Sequence, residues 1–340
     1  MQPPLDIEDH DALCAYLWRT GRVPADVTPR TCVLAGGVSN RTVLVETPDA
    51  RLVLKQALER LRVAVEWRSD PRRILREALG LQILAALTPP GVVPGLVFVD
   101  AAHHLLAMRA VAEPHANWKQ LLLAGQLDEV LVAQWATLLG QIHAASHAQA
   151  AQYAAPLADR SFFESLRLEP YYGYAATQAP AAAAALGALI EETRRSGLAL
   201  VHGDYSPKNV LIHAGRVVLL DHEVIHWGDP AFDVGFALTH LLGKANHLAA
   251  QRAAFAAAAQ RAWACYAAVV DTRFGVTLEA RVVRHLAACL LARVDGRSPL
   301  EYLGPAARAR QRRAALRLLA RPPARVADAI TCVIEELEHD

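Results

Sequence analysis

The sequence predicts an α+β fold with a small β-rich N-terminal lobe and a larger, mainly helical C-terminal lobe. Short apolar runs separated by turn residues fill roughly residues 22–110. Apolar positions at helical spacing dominate from about 111 to 340. A single hairpin pattern, Val201–Leu220, interrupts those helices. The chain has 340 residues, which at roughly 150 residues per domain corresponds to about two folding units. The expected division is 1–110, an N-terminal helix with the β-rich lobe, and 111–340, the helical lobe.

In chain order, residues 6–20 read as a helix stopped by Gly21. Thr31–Leu34, Thr42–Thr47 and Leu52–Gln56 form an antiparallel meander, its first turn carrying Ala35-Gly36-Gly37-Val38-Ser39-Asn40-Arg41. A helix over Asp70–Leu87 is expected, with Asp70 as N-cap and Pro71 at N1. Leu96–Asp100 and Leu105–Arg109 follow as strands. The remaining helices are Trp118–Leu123, Asp128–His147, Arg160–Leu168, Pro180–Ser196, Ala231–Leu242, His247–Val270, Leu278–Arg293, Pro305–Leu319 and Ala324–Glu338. Between them, Val210–His213 and Arg216–Leu220 flank an Ala214-Gly215 turn.

Composition excludes several classes. Apolar residues make up 53% of the chain, above the usual 45–50% or so, which argues against disorder. Lys and Arg number 35 against 34 Asp and Glu, a formal charge of +1, which argues against a nucleic-acid binder and its basic surface. Five scattered cysteines, Cys14, Cys32, Cys265, Cys289 and Cys332, show no CxxC pair. That suggests neither a zinc ribbon nor a disulfide framework, and a reducing cytoplasm. The acidic start lacks a signal-peptide pattern, and no apolar stretch reaches ~18 residues.

The densest chemistry lies in Val201-His-Gly-Asp-Tyr-Ser-Pro-Lys-Asn-Val-Leu-Ile212 and Val217-Val-Leu-Leu-Asp-His-Glu223. Asp204 and Asn209 are five residues apart on a tight loop, and Asp221 follows twelve residues later at the end of an apolar run. A hairpin between them brings all three to one cleft. One carboxylate accepting a hydroxyl proton, with an amide and a second carboxylate holding Mg²⁺, suits phosphoryl transfer. Glu223 is expected on the face of Asp221, two residues along an extended segment, as a further metal contact. The literal H-E-x-x-H at His222–His226 also fits a zinc hydrolase, but only on a sustained helix. Here a β-type run precedes it and Gly228-Asp229-Pro230 follows.

HGDxxxxN followed by DxE resembles the aminoglycoside phosphotransferase and choline kinase superfamily, which has a protein-kinase-like two-lobed fold. Within it the chain looks closest to methylthioribose kinase-like small-molecule kinases, on Gly36-Gly37-Val38-Ser39-Asn40, Val53-Leu54-Lys55-Gln56-Ala57 and Phe232-Asp233-Val234-Gly235. The likeness covers about residues 30–245. It implies an ATP- and Mg²⁺-dependent cytoplasmic phosphotransferase acting on the hydroxyl of a sugar or amino alcohol. Asp204 would be the base, with Asn209, Asp221 and Glu223 at the metal. His202 takes the place of the catalytic-loop histidine and His222 that of the DFG phenylalanine. Gly36, Gly37, Ser39, Asn40 and Lys55 would cradle phosphates. Glu77 would pair with Lys55, Glu66 being the alternative, because a mid-strand lysine needs a partner. The backbone of Met108, Arg109, Ala110 and Val111 would meet adenine in an ATP-binding lobe, and the helical lobe would hold the catalytic loop and the acceptor.

The chain departs from protein kinases in having no long activation segment after Asp221 and in placing Lys208 four residues past Asp204 rather than two. Lys208 reads equally as a phosphate contact or as a solvated loop lysine. Asp229 reads as an N-cap and Asp233 as a structural brace. Tyr171, Tyr172, Trp227 and Arg293 are candidate acceptor contacts, with Arg293 and Arg297 for an anionic group or Asp295 for a sugar hydroxyl. An aminoglycoside, being polycationic, demands an acidic site. Arg308–Arg321 argues against that, and the acidic end Glu335, Glu336, Glu338 and Asp340 reads as a solvated tail. A catalytically inactive nucleotide-binding regulator and an aminoglycoside-modifying enzyme are the alternatives. The expected partner is a small molecule, with neither nucleic acid nor membrane, and a homodimer stays open.

Overall fold

In a computed structural model the described residues are 5–34, 37–62 and 66–339. Ala35, Gly36 and Asp340 lie outside them. Contacts divide the chain into two units, Met1–Glu113 and Pro114–Asp340.

The first unit opens with α1 (His10–Arg19), whose N-cap Asp9 accepts the Ala12 N–H. The helix therefore starts four residues later than the pattern over 6–20 suggests. β1 (Arg30–Val33), β2 (Asn40–Glu46) and β3 (Arg51–Ala57) form the meander, followed by α2 (Arg73–Leu87), β4 (Leu96–Asp100) and β5 (Leu105–Arg109). The antiparallel sheet runs β1-β2-β3-β5-β4. Val43, Leu54 and Ala107 lie in register across β2, β3 and β5. They join Leu13, Tyr16 and Leu17 of α1 in one apolar core. Strand side chains alternate faces, so Lys55 points to the opposite face from Leu54.

α2 corrects one expectation. Asp70 is not its N-cap. The helix begins at Arg73 with no side-chain cap, because the Asp70 carboxylate closes a turn one step earlier, accepting the Arg72 N–H at 2.8 Å.

The second unit carries β6 (His115–Asn117), α3 (Trp118–Leu123), α4 (Glu129–Ala148), α5 (Ala150–Tyr153) and α6 (Ser161–Phe163). A π-helical segment, Glu164–Gly173, runs into α7 (Tyr174–Gln178) and then α8 (Ala183–Arg195). The expected α-helix Arg160–Leu168 is therefore replaced. Pro170 lies inside the π segment and has no N–H for an α-helical ladder. β7 (Ala199–Val201), β8 (Val210–His213), β9 (Arg216–Leu219) and β10 (His226–Gly228) come next. β7 pairs with β10, and β6-β8-β9 form a second small sheet.

α9 (Pro230–His247), α10 (Arg252–Val270), α11 (Leu278–Asp295), α12 (Pro305–Ala320) and α13 (Val326–Glu338) complete the unit. α9 runs past the expected end at Leu242. Gly243 is a close-approach site rather than a stop, since a Cβ there would lie 2.7 Å from Leu300 Cδ1. Glu335 and Glu336 do not form a solvated tail. They sit on α13 and pair with Arg317 of α12 at 3.4 and 2.9 Å. Among the described residues, no helix is long and apolar enough to cross a membrane.

Candidate active site

The loop after β7 is built around Asp233 of α9. Its carboxylate accepts the His202 N–H at 2.6 Å and the Gly203 N–H at 2.8 Å, and lies 3.2 Å from His143 Nε2. Burial pushes the Asp233 carboxyl up, but the His143 contact and the backbone donors hold it below the usual carboxylate range. Asp233 is thus a brace that fixes the two peptide groups ahead of Asp204. Gly203 has φ +76°, and a Cβ there would lie 2.8 Å from Val224 Cγ2, so only glycine fits without strain. His202 Nδ1 accepts the Asp204 N–H at 3.2 Å. That assignment leaves Nε2–H to donate to His222 Nδ1 at 3.1 Å. Burial lowers the His202 pKa, consistent with a neutral ring.

Asp204 is buried and held at one oxygen. Arg167 Nη2 lies 2.8 Å and Lys208 Nζ 2.9 Å from its Oδ2. Oδ1 makes no hydrogen bond among the described residues. Burial alone would raise the carboxyl pKa, but the two cations outweigh it, and the net shift is downward. Lys208 is therefore not a simple solvated lysine, although its side chain keeps 43% exposure. Sequence reasoning missed Arg167. It sits on the π-helical segment, where Nε donates to Gly203 O and Nη1 to Leu166 O, at 2.8 and 2.7 Å. Its only signal was a lone charge among apolar neighbours, Leu166 and Leu168.

Asn209 Nδ2 donates to Asp204 O at 3.0 Å, leaving the amide oxygen as its acceptor atom. Leu220 N–H donates to Asn209 O at 2.9 Å, which places Asp221 one residue beyond Asn209. Asp221 has φ +67°, a conformation uncommon outside glycine and concentrated at functional sites. The expected extended segment does not continue there. β9 ends at Leu219, and residues 222–225 turn, with Ile225 N–H donating to His222 O. Alternation along a strand therefore does not put Glu223 on the face of Asp221. Both still lie close enough to Arg167 to raise its pKa. Oxygen donors from Asn209, Asp221 and Glu223 fit a hard divalent cation. Among the described residues, no group of three or more His, Cys, Asp or Glu is arranged for a metal ion. The H-E-x-x-H is not helical. His226 lies on β10, stacked on Phe163 at 4.0 Å, while His222 meets His202, so a zinc hydrolase of that type is not built here.

In the first unit, Lys55 Nζ lies 2.5 Å from Glu77 Oε1, both side chains buried. Glu66 instead lies beside Arg68, at 3.2 Å. Ser39 and Asn40 are buried, and the Asn40 amide donates to Ser39 Oγ at 3.1 Å. Arg73 was also missed. Fully buried, it donates to Ser39 O and, at 2.8 Å, to Leu58 O, tying the phosphate-loop candidate to α2. A Cβ on Gly37 would lie 3.1 Å from Asn40 O. In Met108–Val111, the Arg109 N–H already donates to Gly95 O and the Ala110 N–H to Arg51 O, and Met108 is paired with Val53 within the sheet.

Of the acceptor candidates, Tyr172 is fully buried, its hydroxyl 2.9 Å from His285 Nδ1. Trp227 is buried on β10. Tyr171 accepts from Arg293 Nη1 at 3.0 Å. Two guanidinium groups, Arg167 and Arg293, each lie 5.6 Å from its ring centroid. Asp229 caps α9 and pairs with Arg281 at 2.9 Å.

A five-stranded antiparallel sheet with one buried lysine-glutamate pair, followed by a helical unit carrying HGDxxxxN and a strained aspartate, defines a kinase-like phosphotransfer protein. The chain belongs to the phosphotransferase enzyme family, whose model matches residues 30–269. No curated protein matches it. Among solved structures it is similar to a choline/ethanolamine kinase family protein from Mesorhizobium loti, at 19% identity over 96% of this chain and 99% of that one, TM-score 0.53. A macrolide 2'-phosphotransferase from Brachybacterium faecium matches at 19% identity, 92% and 99% coverage and TM-score 0.51. An amicoumacin kinase in complex with AMP-PNP and Ca²⁺ matches at 13% identity, 93% and 96% coverage and TM-score 0.58. These likenesses establish the fold.

Proposed function

We propose that this chain is an ATP- and Mg²⁺-dependent kinase that moves the γ-phosphate to a hydroxyl group of a small molecule of sugar or amino-alcohol type. The observation that carries this is the Asp204 carboxylate. Arg167 and Lys208 approach Oδ2 to 2.8 and 2.9 Å, while Oδ1 has no hydrogen-bond donor among the described residues. A carboxylate fixed in that way is prepared to take one hydrogen bond, from the acceptor hydroxyl. Its lowered pKa makes it a weak base, which suits a loose transition state in which orientation precedes proton transfer. Asp204 therefore aligns the hydroxyl first and receives its proton as the bond to phosphorus forms.

Mg²⁺, when bound, supplies charge neutralisation at the phosphates. Asn209, Asp221 and Glu223 offer its oxygen ligands. The first unit is the nucleotide-binding lobe of this reading. Lys55, fixed by Glu77, supplies a cation for phosphates, with Ser39 and Asn40 as donors, and Met108–Val111 is the adenine-facing segment. An amicoumacin kinase of the same fold in complex with AMP-PNP supports nucleotide use. The second unit supplies catalysis and the acceptor site.

The test is an ADP-release screen over methylthioribose, choline, ethanolamine, homoserine, simple sugars and aminoglycosides. Acceptor-dependent ADP release that vanishes in Asp204→Asn is the expected result. Binding of ATP without turnover on any hydroxyl compound would instead favour the inactive regulator.

A further inference from the structure

The face of α9 that braces the catalytic loop continues into a basic cluster, Lys244 and Arg293, that no carboxylate contacts directly among the described residues. Asp233, His240 and Lys244 recur at helical spacing on α9. Lys244 is fully buried, and its ammonium donates only to His240 O, at 3.1 Å, with the Tyr302 ring 5.6 Å away. Arg293 of α11 is 7% exposed. Its hydrogen bonds to Tyr171 Oη, Ser298 O and Ser298 Oγ all leave from Nη1, and its buried Nε has no partner among the described residues. His240 Nε2 and Tyr302 Oη are likewise buried without partners. Glu301, whose charge acts on both Lys244 and Arg293, is itself paired with Lys119.

Burying cations that no carboxylate contacts is costly, and Arg293 lies near enough to Lys244 to act on its charge. Burial, with Lys119 and Arg293 nearby, pushes Lys244 down to about 7 despite Glu301. His240 is driven well below its usual value by burial and then by Arg293, Lys244, Lys208 and Lys119. An oxyanion would supply the missing charge. The cluster also reaches the catalytic loop by two routes. Arg293 and Arg167, which holds Asp204, share the Tyr171 ring, each 5.6 Å from its centroid. Lys208, which also holds Asp204, lies close enough to act on His240.

We propose that the acceptor carries an oxyanion, a carboxylate or a phosphate, which binds at the free edge of Arg293 over His240 and Lys244 while the acceptor hydroxyl meets Asp204. This rests on the small-molecule kinase reading and narrows its substrate class to hydroxylated anions. A guanidinium with one edge already fixed suits the planar fork of such a group.

The test uses the full chain with matched alcohols, glycerate against glycerol and homoserine against its methyl ester, and inorganic phosphate as a competitor. The anionic member of each pair should give at least tenfold higher kcat/KM in ADP release. Phosphate should compete with the acceptor and not with ATP. Lys244→Met removes a buried charge and keeps the volume, so it should fold. It should raise the acceptor KM at least tenfold, with kcat and the KM for ATP within twofold. Arg293→Gln should do the same. Calorimetry of glycerate on Asp204→Asn with AMP-PNP reads binding without turnover. Preference for the neutral partners, or an unchanged acceptor KM in Lys244→Met, overturns the inference while acceptor-dependent ADP release leaves the kinase reading standing. Binding of phosphate but not glycerate overturns the acceptor assignment in favour of a separate anion site. Glycerate binding with no ADP release from any alcohol defeats the kinase reading instead.

Discussion

Arg167 and Asp204 meet at 2.8 Å with both side chains buried. The arginine comes from a π-helical segment and also holds the carbonyl of Gly203, the residue just before that aspartate. One side chain therefore fixes both the backbone and the carboxylate of the proposed base. Removing it should leave a buried carboxylate with Lys208 as its one remaining cation. In Arg167→Met the acid limb of the pH profile of kcat/KM should move to higher pH, because the cation that holds the Asp204 pKa down is gone. Breaking a buried pair costs about 3–5 kcal/mol, so urea unfolding should show a comparable loss. An unshifted acid limb in a folded Arg167→Met chain would show that the pair does not tune Asp204.

Asp204→Asn keeps the shape of the side chain and removes the proton acceptor. Turnover should fall by roughly 10²–10⁴-fold, the usual contribution of a positioned base, while nucleotide affinity stays within a fewfold. Steady-state ADP release and equilibrium nucleotide binding check the two halves of this expectation separately. Near-wild-type turnover would remove Asp204 from the mechanism.

Lys55 and Glu77 form a buried pair in the first unit, 2.5 Å apart. Glu77→Gln or Lys55→Met alone should destabilise that unit by about 3–5 kcal/mol, because either removes one half of a buried ion pair. The double variant should recover most of the stability and none of the ATP affinity. That contrast, read from denaturant midpoints and nucleotide titration, separates a phosphate-binding lysine from a purely structural one.

The sheet of the first unit was legible because turn residues punctuate its strands and Lys55 stands out among apolar neighbours. The HGDxxxxN loop was legible because its residues are close in sequence. What lay beyond reach depends on distant contacts. Arg167 and Arg73 are single cations whose partners, Asp204 and Ser39, lie 37 and 34 residues away, and neither pairing leaves a periodic trace. The turn at His222–Ile225 was misread as extended because its composition, apolar and β-branched at Val224 and Ile225, is that of a strand. It is the positive φ of Asp221, a property of the folded backbone, that ends the strand. The helix α9 was expected to end at Leu242, one residue before Gly243. The role of that glycine as the point where Leu300 packs against α9 appears only in three dimensions.

Asp233 makes the stability of the second unit depend on pH in a predictable direction. Its folded pKa is lowered, so its contribution is present above the unfolded value and is lost as pH falls through the folded one. Asp204 has the same sign. The contribution of these two carboxylates should therefore be flat from neutral pH down to about pH 4 and then decline, as protonation breaks the contacts each makes when charged, while the buried neutral imidazoles of His202 and His240 add a separate loss that begins below about pH 6.5. Asp233→Asn retains one acceptor oxygen for two backbone donors, so at neutral pH it should cost about 1–3 kcal/mol, the penalty for an unsatisfied buried group. Below about pH 4 the gap between variant and wild type should narrow, since the protonated aspartic acid is then no better an acceptor than the amide. Urea midpoints of both chains across this range give the comparison. A gap that stays constant with pH would mean that the Asp233 charge, as distinct from its shape, does not hold the His202-Gly203 turn.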